Sequence, residues 1–442
     1  MSARKNLDQR SSSALRRHLL LSTALTGVVL AATGQPSRAA IILVTNTNDV
    51  GAGSLRNAFN TANPGDTINV TSGLTGTITL GSNLPPVNGV TIDLSAGNVT
   101  IAGPFGASFN TLSSSLNSAP SNTFSGPTAL ISGSLAVTGT QGFSAPQSQL
   151  QVDTGSTFTA NTTPTMGTAP GATFASLTGG GTITLTGGSG NGLDLTGNYQ
   201  QSTIFSGQIT GTGGEFALFG GGGTLTLTGT SNNYSGPTDI FGNVTVGTPG
   251  GGPLGATLTA GAANVFSPNS PVIMQGGASS TLNLNNFNQT IASLAGSGVV
   301  QLGSAMLTLG GDNTSTTFTG GIAGTGGGLD KVGTGTFTLN QTGGATYSGP
   351  TLIDGGVFQA GAANSLSPNS PVGIAPGATL DLNGFSQTIA GLQGAGSVTL
   401  GSGTLTDNQS TPTNFNGVIS GTGGLTVNGA NNRLILGGAN YL

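Results

Sequence analysis

The side chains able to do chemistry in this sequence are few, and most are carboxylates. In its second half the acids are Asp194, Asp239, Asp312, Asp330, Asp354, Asp381 and Asp407, with Glu215 the one glutamate. Two carboxyls flanking a bond are what a glycosidase needs, one to donate a proton and one to attack or to activate water. Asp312, Asp330, Asp354, Asp381 and Asp407 follow one another at separations of 18, 24, 27 and 26 residues, which would place some of them on adjacent coils of a repeating fold. Aspartate also favours turns, so the simpler expectation is one turn aspartate per coil and no catalytic acid. A lyase would add an Arg or Lys base. Arg56 sits near the start of the chain, and Lys331 beside Asp330 reads as a neighbouring ion pair. The single histidine is His18 and there is no cysteine, which excludes histidine catalysis, thiol catalysis and zinc sites built on His or Cys.

Two glycine-rich stretches complete the inventory. Residues 187–194, Gly-Gly-Ser-Gly-Asn-Gly-Leu-Asp, resemble a calcium-binding nonapeptide, but Gly192 occupies the aspartate position and no tandem copy follows. Residues 220–223 are all glycine, with neither the helix nor the lysine of a phosphate loop after them, and read as a turn. No residue is assigned to catalysis, to a cofactor or to a metal.

The elements that must carry these side chains are all-β. Glycine supplies 80 of the 442 residues, and charged residues only 5%. Disorder needs low hydrophobicity and high charge, and neither holds. A polar surface must therefore be built from Ser, Thr, Asn and Gln, as in a regular β-solenoid. Past Ala39 the bases are Arg56, Lys331 and Arg433 against twelve acids, a formal net charge of −9. Three isolated bases cannot track phosphates, which excludes nucleic acid as a partner.

Residues 1–18 are basic and residues 19–32 form an apolar run, followed by Ser37 and Ala39 at the spacing signal peptidase accepts. We therefore expect a signal peptide over residues 1–39, cleavage before Ala40, and a mature chain that works outside the cytoplasm.

Repeats decide the fold. Residues 260–272 contain Ala-Gly-Ala-Ala-Asn and then Ser-Pro-Asn-Ser-Pro-Val, and both recur at residues 360–372. Phe-x-Gln-Thr-Ile-Ala occurs at residues 287–292 and 385–390. Phe-x-Gly-x-Ile-x-Gly-Thr-Gly-Gly occurs at residues 205–214, 318–327 and 415–424. Short alternating runs such as Gly-Thr-Leu-Thr-Leu at residues 223–227 put leucines on one face and threonines on the other. A single such pair buries too little, whereas stacked coils share a continuous core. The expected fold is a right-handed parallel β-helix, with right-handedness from the chirality of parallel crossovers. Phenylalanines at 205, 216, 219, 241, 266, 287, 318, 337, 358, 385 and 415 are expected to form an interior stack. Ser54 should cap a short helix over residues 55–62, with Leu55, Ala58, Phe59 and Ala62 covering the open end. The expected divisions are 1–39 signal peptide, 40–103 cap and first coils, 104–176 irregular Ser/Thr/Pro-rich coils, and 177–442 repeat-bearing β-helix. Residues 248–253, Thr-Pro-Gly-Gly-Gly-Pro, are expected to form a loop.

Tyr-Ser-Gly-Pro-Thr stands at residues 234–238 and 347–351, each after a Gly-Thr-(Leu/Phe)-Thr-Leu strand. At these blocks the sequence resembles the autotransporter-associated β-strand repeat, and residues 44–59 resemble the cap that opens many exported β-helices. The resemblance implies a type V secretion passenger, extracellular or on the cell surface, with a structural or adhesive role and no enzymatic activity. Its implied partners are an outer-membrane β-barrel translocator outside this chain and host or environmental surface glycans. The C-terminal barrel of the family is absent, and the sequence reads as truncated in mid-repeat at Tyr441. The absence of cysteine suits a chain that threads a narrow pore extended. Two other readings stay open: a carbohydrate-active β-helix enzyme using paired aspartates, and a degenerate gene fragment.

Overall fold

The computed structural model describes residues 39–442 apart from 83, 88–89, 94–95, 97, 104–106, 111–113, 118–122, 125–127, 133, 140–142, 163–171, 188–191, 196–201, 243–254, 429–432 and 442. The signal-peptide segment, most of the nonapeptide-like stretch and the loop expected at residues 248–253 lie outside the described residues. The unit Ile41–Leu442 is a parallel β-solenoid of about 14 turns. In the C-terminal turns each coil has three strands. Thr379–Asp381, Gln387–Ile389 and Gly391–Gly394 are followed one turn later by Ser397–Thr399, Leu405–Asp407 and Thr413–Phe415, and each strand pairs in parallel with its counterpart. The coil length varies: Gln289 is in register with Leu307, 18 residues on, and Thr238 with Val272, 34 residues on.

Alternation along each strand builds the core. In Thr224–Leu227 and Thr336–Leu339 the apolar residues are buried and the threonines half-buried. Stacking then sets like above like: Phe337 faces Phe358 in register, their rings edge to face at 5.3 Å. The cap forms as its sequence dictates. Ser54 accepts the Asn57 N–H at the start of the helix Leu55–Thr61, which buries Leu55, Ala58 and Phe59. Arg56 of this helix pairs with Asp49 at 2.8 Å.

The Phe-x-Gly-x-Ile motif is a corner between strands. Phe205, Phe318 and Phe415 are fully buried, as are Ile209, Ile322 and Ile419. The intervening glycines leave no room for a side chain. A Cβ at Gly207, Gly320 or Gly417 would lie 1.8, 2.2 or 1.7 Å from a carbonyl oxygen of the preceding turn, and against the ring of its own phenylalanine.

Three expectations need correction. The phenylalanines are not one interior stack. Phe287 and Phe385 are exposed, because each follows a turn with left-handed residues (Asn285 and Asn286; Asn383 and Gly384) that carries it outward. Phe219 and Phe241 lie half-buried, stacked on each other at 4.5 Å. Lys331 does not pair with Asp330: strand alternation turns Lys331 inward with Leu329 and Asp330 outward. Nor are the aspartates mainly turn residues, since Asp194, Asp239, Asp330, Asp381 and Asp407 all lie in strands. Neighbouring turns supply their donors; Thr308 donates to Asp330 and Gln359 to Asp381. In the Ser/Thr/Pro-rich region the described strands still pair in parallel, but with register shifts at Leu130/Ser132 and Ala145/Gln149.

The corner geometry gives a paired test. Gly320→Ala should destabilise by about 2 kcal/mol or more through overpacking. Gly321→Ala, where a Cβ meets nothing within 4 Å, should be neutral or stabilise by about 0.4–1 kcal/mol. Denaturant midpoints of the two variants measure the difference.

Candidate functional site

The duplicated motifs converge on buried polar networks. Tyr234 and Tyr347 are almost wholly buried, which pushes each phenol up to about 12, opposed by their hydroxyl partners. The Tyr234 hydroxyl meets Thr238 Oγ1 at 2.6 Å, which meets Ser270 Oγ of the next turn at 2.8 Å. Ser270 donates to the Gly236 carbonyl at 2.7 Å, and Ser267 to the Tyr234 carbonyl at 2.6 Å. The second copy repeats this with Tyr347, Thr351, Ser370 and Ser367: 2.6 Å from Tyr347 to Thr351, 2.8 Å from Thr351 to Ser370. Tyr-Ser-Gly-Pro-Thr on one turn is thus bonded to Ser-Pro-Asn-Ser-Pro on the next.

A second latch follows in each copy. Gln289 Oε1 accepts the N–H groups of Val265 and Phe266 at 2.9 and 3.1 Å, and its Nε2 donates to the carbonyls of Ala262 and Phe287. Gln387 accepts the Leu366 N–H and donates to Ala362 and Phe385 in the same way. Both glutamines are 1% exposed. Burying an amide is tolerable only when its donors and acceptor are used, and here they are. Sequence reasoning treated these residues as turn punctuation and missed them. The available sign was that Tyr, Thr, Ser and Gln repeat at fixed offsets, which turns alone do not require.

The remaining chemistry is sparse. Lys331 Nζ donates to the carbonyls of Val332, Gly333 and Gly355 at 2.8, 3.2 and 3.2 Å, and burial lowers its pKa against the pull of Asp312. Asp407 is fully buried, which pushes it up to about 6. The structure does gather some of the acids: Asp194 and Asp239 share one outward column with Ala217 between them, and Glu215 stands beside it. Among the described residues no group of three or more His, Cys, Asp or Glu has the geometry to hold a metal ion. A cleft opens near these acids where the strand Ala172–Gly179 forks into two ladders, lined by Leu195, Thr203, Leu218, Phe219, Leu225 and Ala256. Its volume is about 30 Å³, room for a water or two and too little for a sugar ring.

Both networks lie where a known family leaves its mark. Residues 220–241 and 329–360 match the profile of the passenger-associated-transport-repeat family. The chain carries passenger-associated-transport repeats. Each matched repeat contains one of the buried tyrosines and its threonine, so the family's sequence pattern coincides with the bond that ties one turn to the next. The chain is also 34% identical over 272 residues to the adhesin BmaC autotransporter of Brucella suis biovar 1 (strain 1330), a match covering 60% of this chain and 7% of that protein. The chain therefore corresponds to a small part of that relative's length. No solved structure matches.

Removing a latch should cost more than removing an exposed aromatic. Gln387→Leu leaves the Leu366 N–H and Ala362 carbonyl buried without partners and should cost about 2–4 kcal/mol. Phe385→Ala should stay within about 0.5 kcal/mol. Urea unfolding of the full chain with each change checks both.

Proposed function

We propose that this chain is part of an exported autotransporter passenger with a structural and adhesive role, displayed outside the cell. The observation that carries this reading is the coincidence of the two matched repeats with the turn-to-turn networks, because it makes the repeat a device for building a rod. The adhesin relative supports the adhesive role. Residues 1–39 act as the export signal, residues 40–103 cap the coil, residues 104–176 form looser coils, and residues 177–442 are the repeat-bearing length. An outer-membrane β-barrel translocator carries the passenger out, and surface glycans of a host or the environment are its contact. Adhesion on a solenoid is spread over side chains repeated along a flank, and Phe287 and Phe385, exposed at equivalent positions of the long repeat, are such a pair. No acid is catalytic in this reading. The cleft beside Asp194 and Asp239 is too small for a glycosidase subsite, and the two acids are themselves 8% exposed.

The test is display. The full chain fused upstream of an outer-membrane translocator barrel should become protease-accessible on bacterial cells and raise their retention on a glycan array above that of cells displaying the barrel alone. Deleting residues 1–39 should abolish display. Retention of the full-length fusion inside the cell would contradict export, and display without any gain in binding would contradict the adhesive role. Hydrolysis of an arrayed glycan that is lost in Asp194→Asn would restore the enzyme reading.

A further inference from the structure

The acids on the outward face of one ladder form a group that the passenger reading leaves unused. Strands Ala172–Gly179, Leu193–Leu195, Phe216–Leu218, Thr238–Phe241 and Pro271–Gln275 stack in parallel, and one outward column holds Thr173, Asp194, Ala217, Asp239 and Ile273 in register. Glu215, two residues before Ala217, lies on the same side of its strand. The small side chain of Ala217 is thus surrounded by three carboxyls from three successive turns. Asp194 and Asp239 are each 8% exposed, and one oxygen of Asp239 is buried without a hydrogen-bond partner.

No base answers them. The elements packed on this column contribute Thr173, Ala217, Ile273 and Gln275 besides the acids. The bases beyond Ala39 are committed elsewhere: Arg56 to Asp49 in the cap, Lys331 to its three carbonyls, and Arg433 on the strand edge beside Thr413. Three like charges without a counter-charge cannot all be ionised in one buried patch, so a proton must be shared, and Asp239 and Glu215 are placed to share it in a side-chain hydrogen bond.

We propose that Asp194, Glu215 and Asp239 form a proton-operated clasp on the flank of the solenoid, which holds three turns together while it is protonated and loosens them when its protons leave.

The directions of titration agree. Burial, then the charge of Glu215, raises Asp194 from 3.8 to about 7, opposed by a hydrogen bond from Thr173. Burial, then the hydrogen bond and charge of Glu215 and the charge of Asp194, raises Asp239 from 3.8 to about 8. A carboxyl whose folded pKa lies above its unfolded one takes up a proton on folding. Its stabilising contribution is therefore complete below about pH 4 and is lost as the pH rises to about 7–8.

Hydrogen exchange of the full chain, followed peptide by peptide at pH 5 and pH 8.5 and corrected for the intrinsic rate, tests the clasp. Protection in Leu193–Leu195, Phe216–Leu218 and Thr238–Phe241 should fall about tenfold or more at the higher pH, while Thr316–Phe318 and Thr336–Leu339 of the same ladder hold steady. The double variant Asp194→Asn/Asp239→Asn should keep its acid-level protection at pH 8.5. If the double variant fails to fold, Asp239→Asn alone should reduce the pH dependence in the same strands. Equal protection of the wild-type strands at both pH values would overturn the proposal, as would a pH dependence that survives Asp239→Asn.

Discussion

Everything in this solenoid depends on register between consecutive turns. A parallel coil places each side chain directly above and below the residues that occupy the same column one turn away, so a side chain is judged by its column. Apolar columns bury; the columns of Leu225, Leu258 and Leu282 or of Phe337, Phe358 and Leu380 are continuous threads of the core. Corners admit only what the previous turn allows, and at Gly207, Gly320 and Gly417 that is hydrogen. Because coil length varies while register does not, the extra residues of long coils must leave as loops.

Apolar columns alone fix register weakly, since leucine slides past leucine at little cost. The buried tyrosine, threonine, serine and glutamine groups remove that freedom. Each has its partners on a single neighbouring turn, and a slip would leave several buried polar atoms without bonds, at about 1–3 kcal/mol apiece. This gives the long repeat a physical reason: its two copies are two register pins, one spanning Tyr234 to Gln289 and the other Tyr347 to Gln387. The acid column is the reverse case, a column whose register brings like charges together and whose stability is therefore tied to protons.

Much of this was legible in the sequence. Ser54 followed by Leu55, Ala58 and Phe59 gave the cap, and the alternating Thr and Leu runs gave the strands and their inward faces. Phe205, Phe318 and Phe415 were legible as core because each opens the same motif. The errors have one origin. Sequence shows which residues alternate but not which turn lies above which, and burial of an outward residue is decided by the turn above. Asp194 in Leu-Asp-Leu points outward by parity, yet it is buried by residues 21 and 45 positions away, Glu215 and Asp239. Lys331 is different: counting from Leu329 places it inward, so parity held the answer that adjacency to Asp330 obscured. The exposed Phe287 and Phe385 were hidden because the left-handed turn before each reverses the alternation.

Register is measured most directly by oxidation of introduced cysteine pairs, and the chain carries no cysteine to interfere. Thr338 and Gln359 are in-register neighbours on the same outward face, and their side chains are bonded at 3.0 Å. Thr338→Cys with Gln359→Cys should therefore oxidise readily to a disulfide, the separation of adjacent strands matching its reach. Thr338→Cys with Ala360→Cys should not, because Ala360 faces the core. Equal oxidation of the two pairs, or preferred oxidation of the second, would contradict the register on which this account stands.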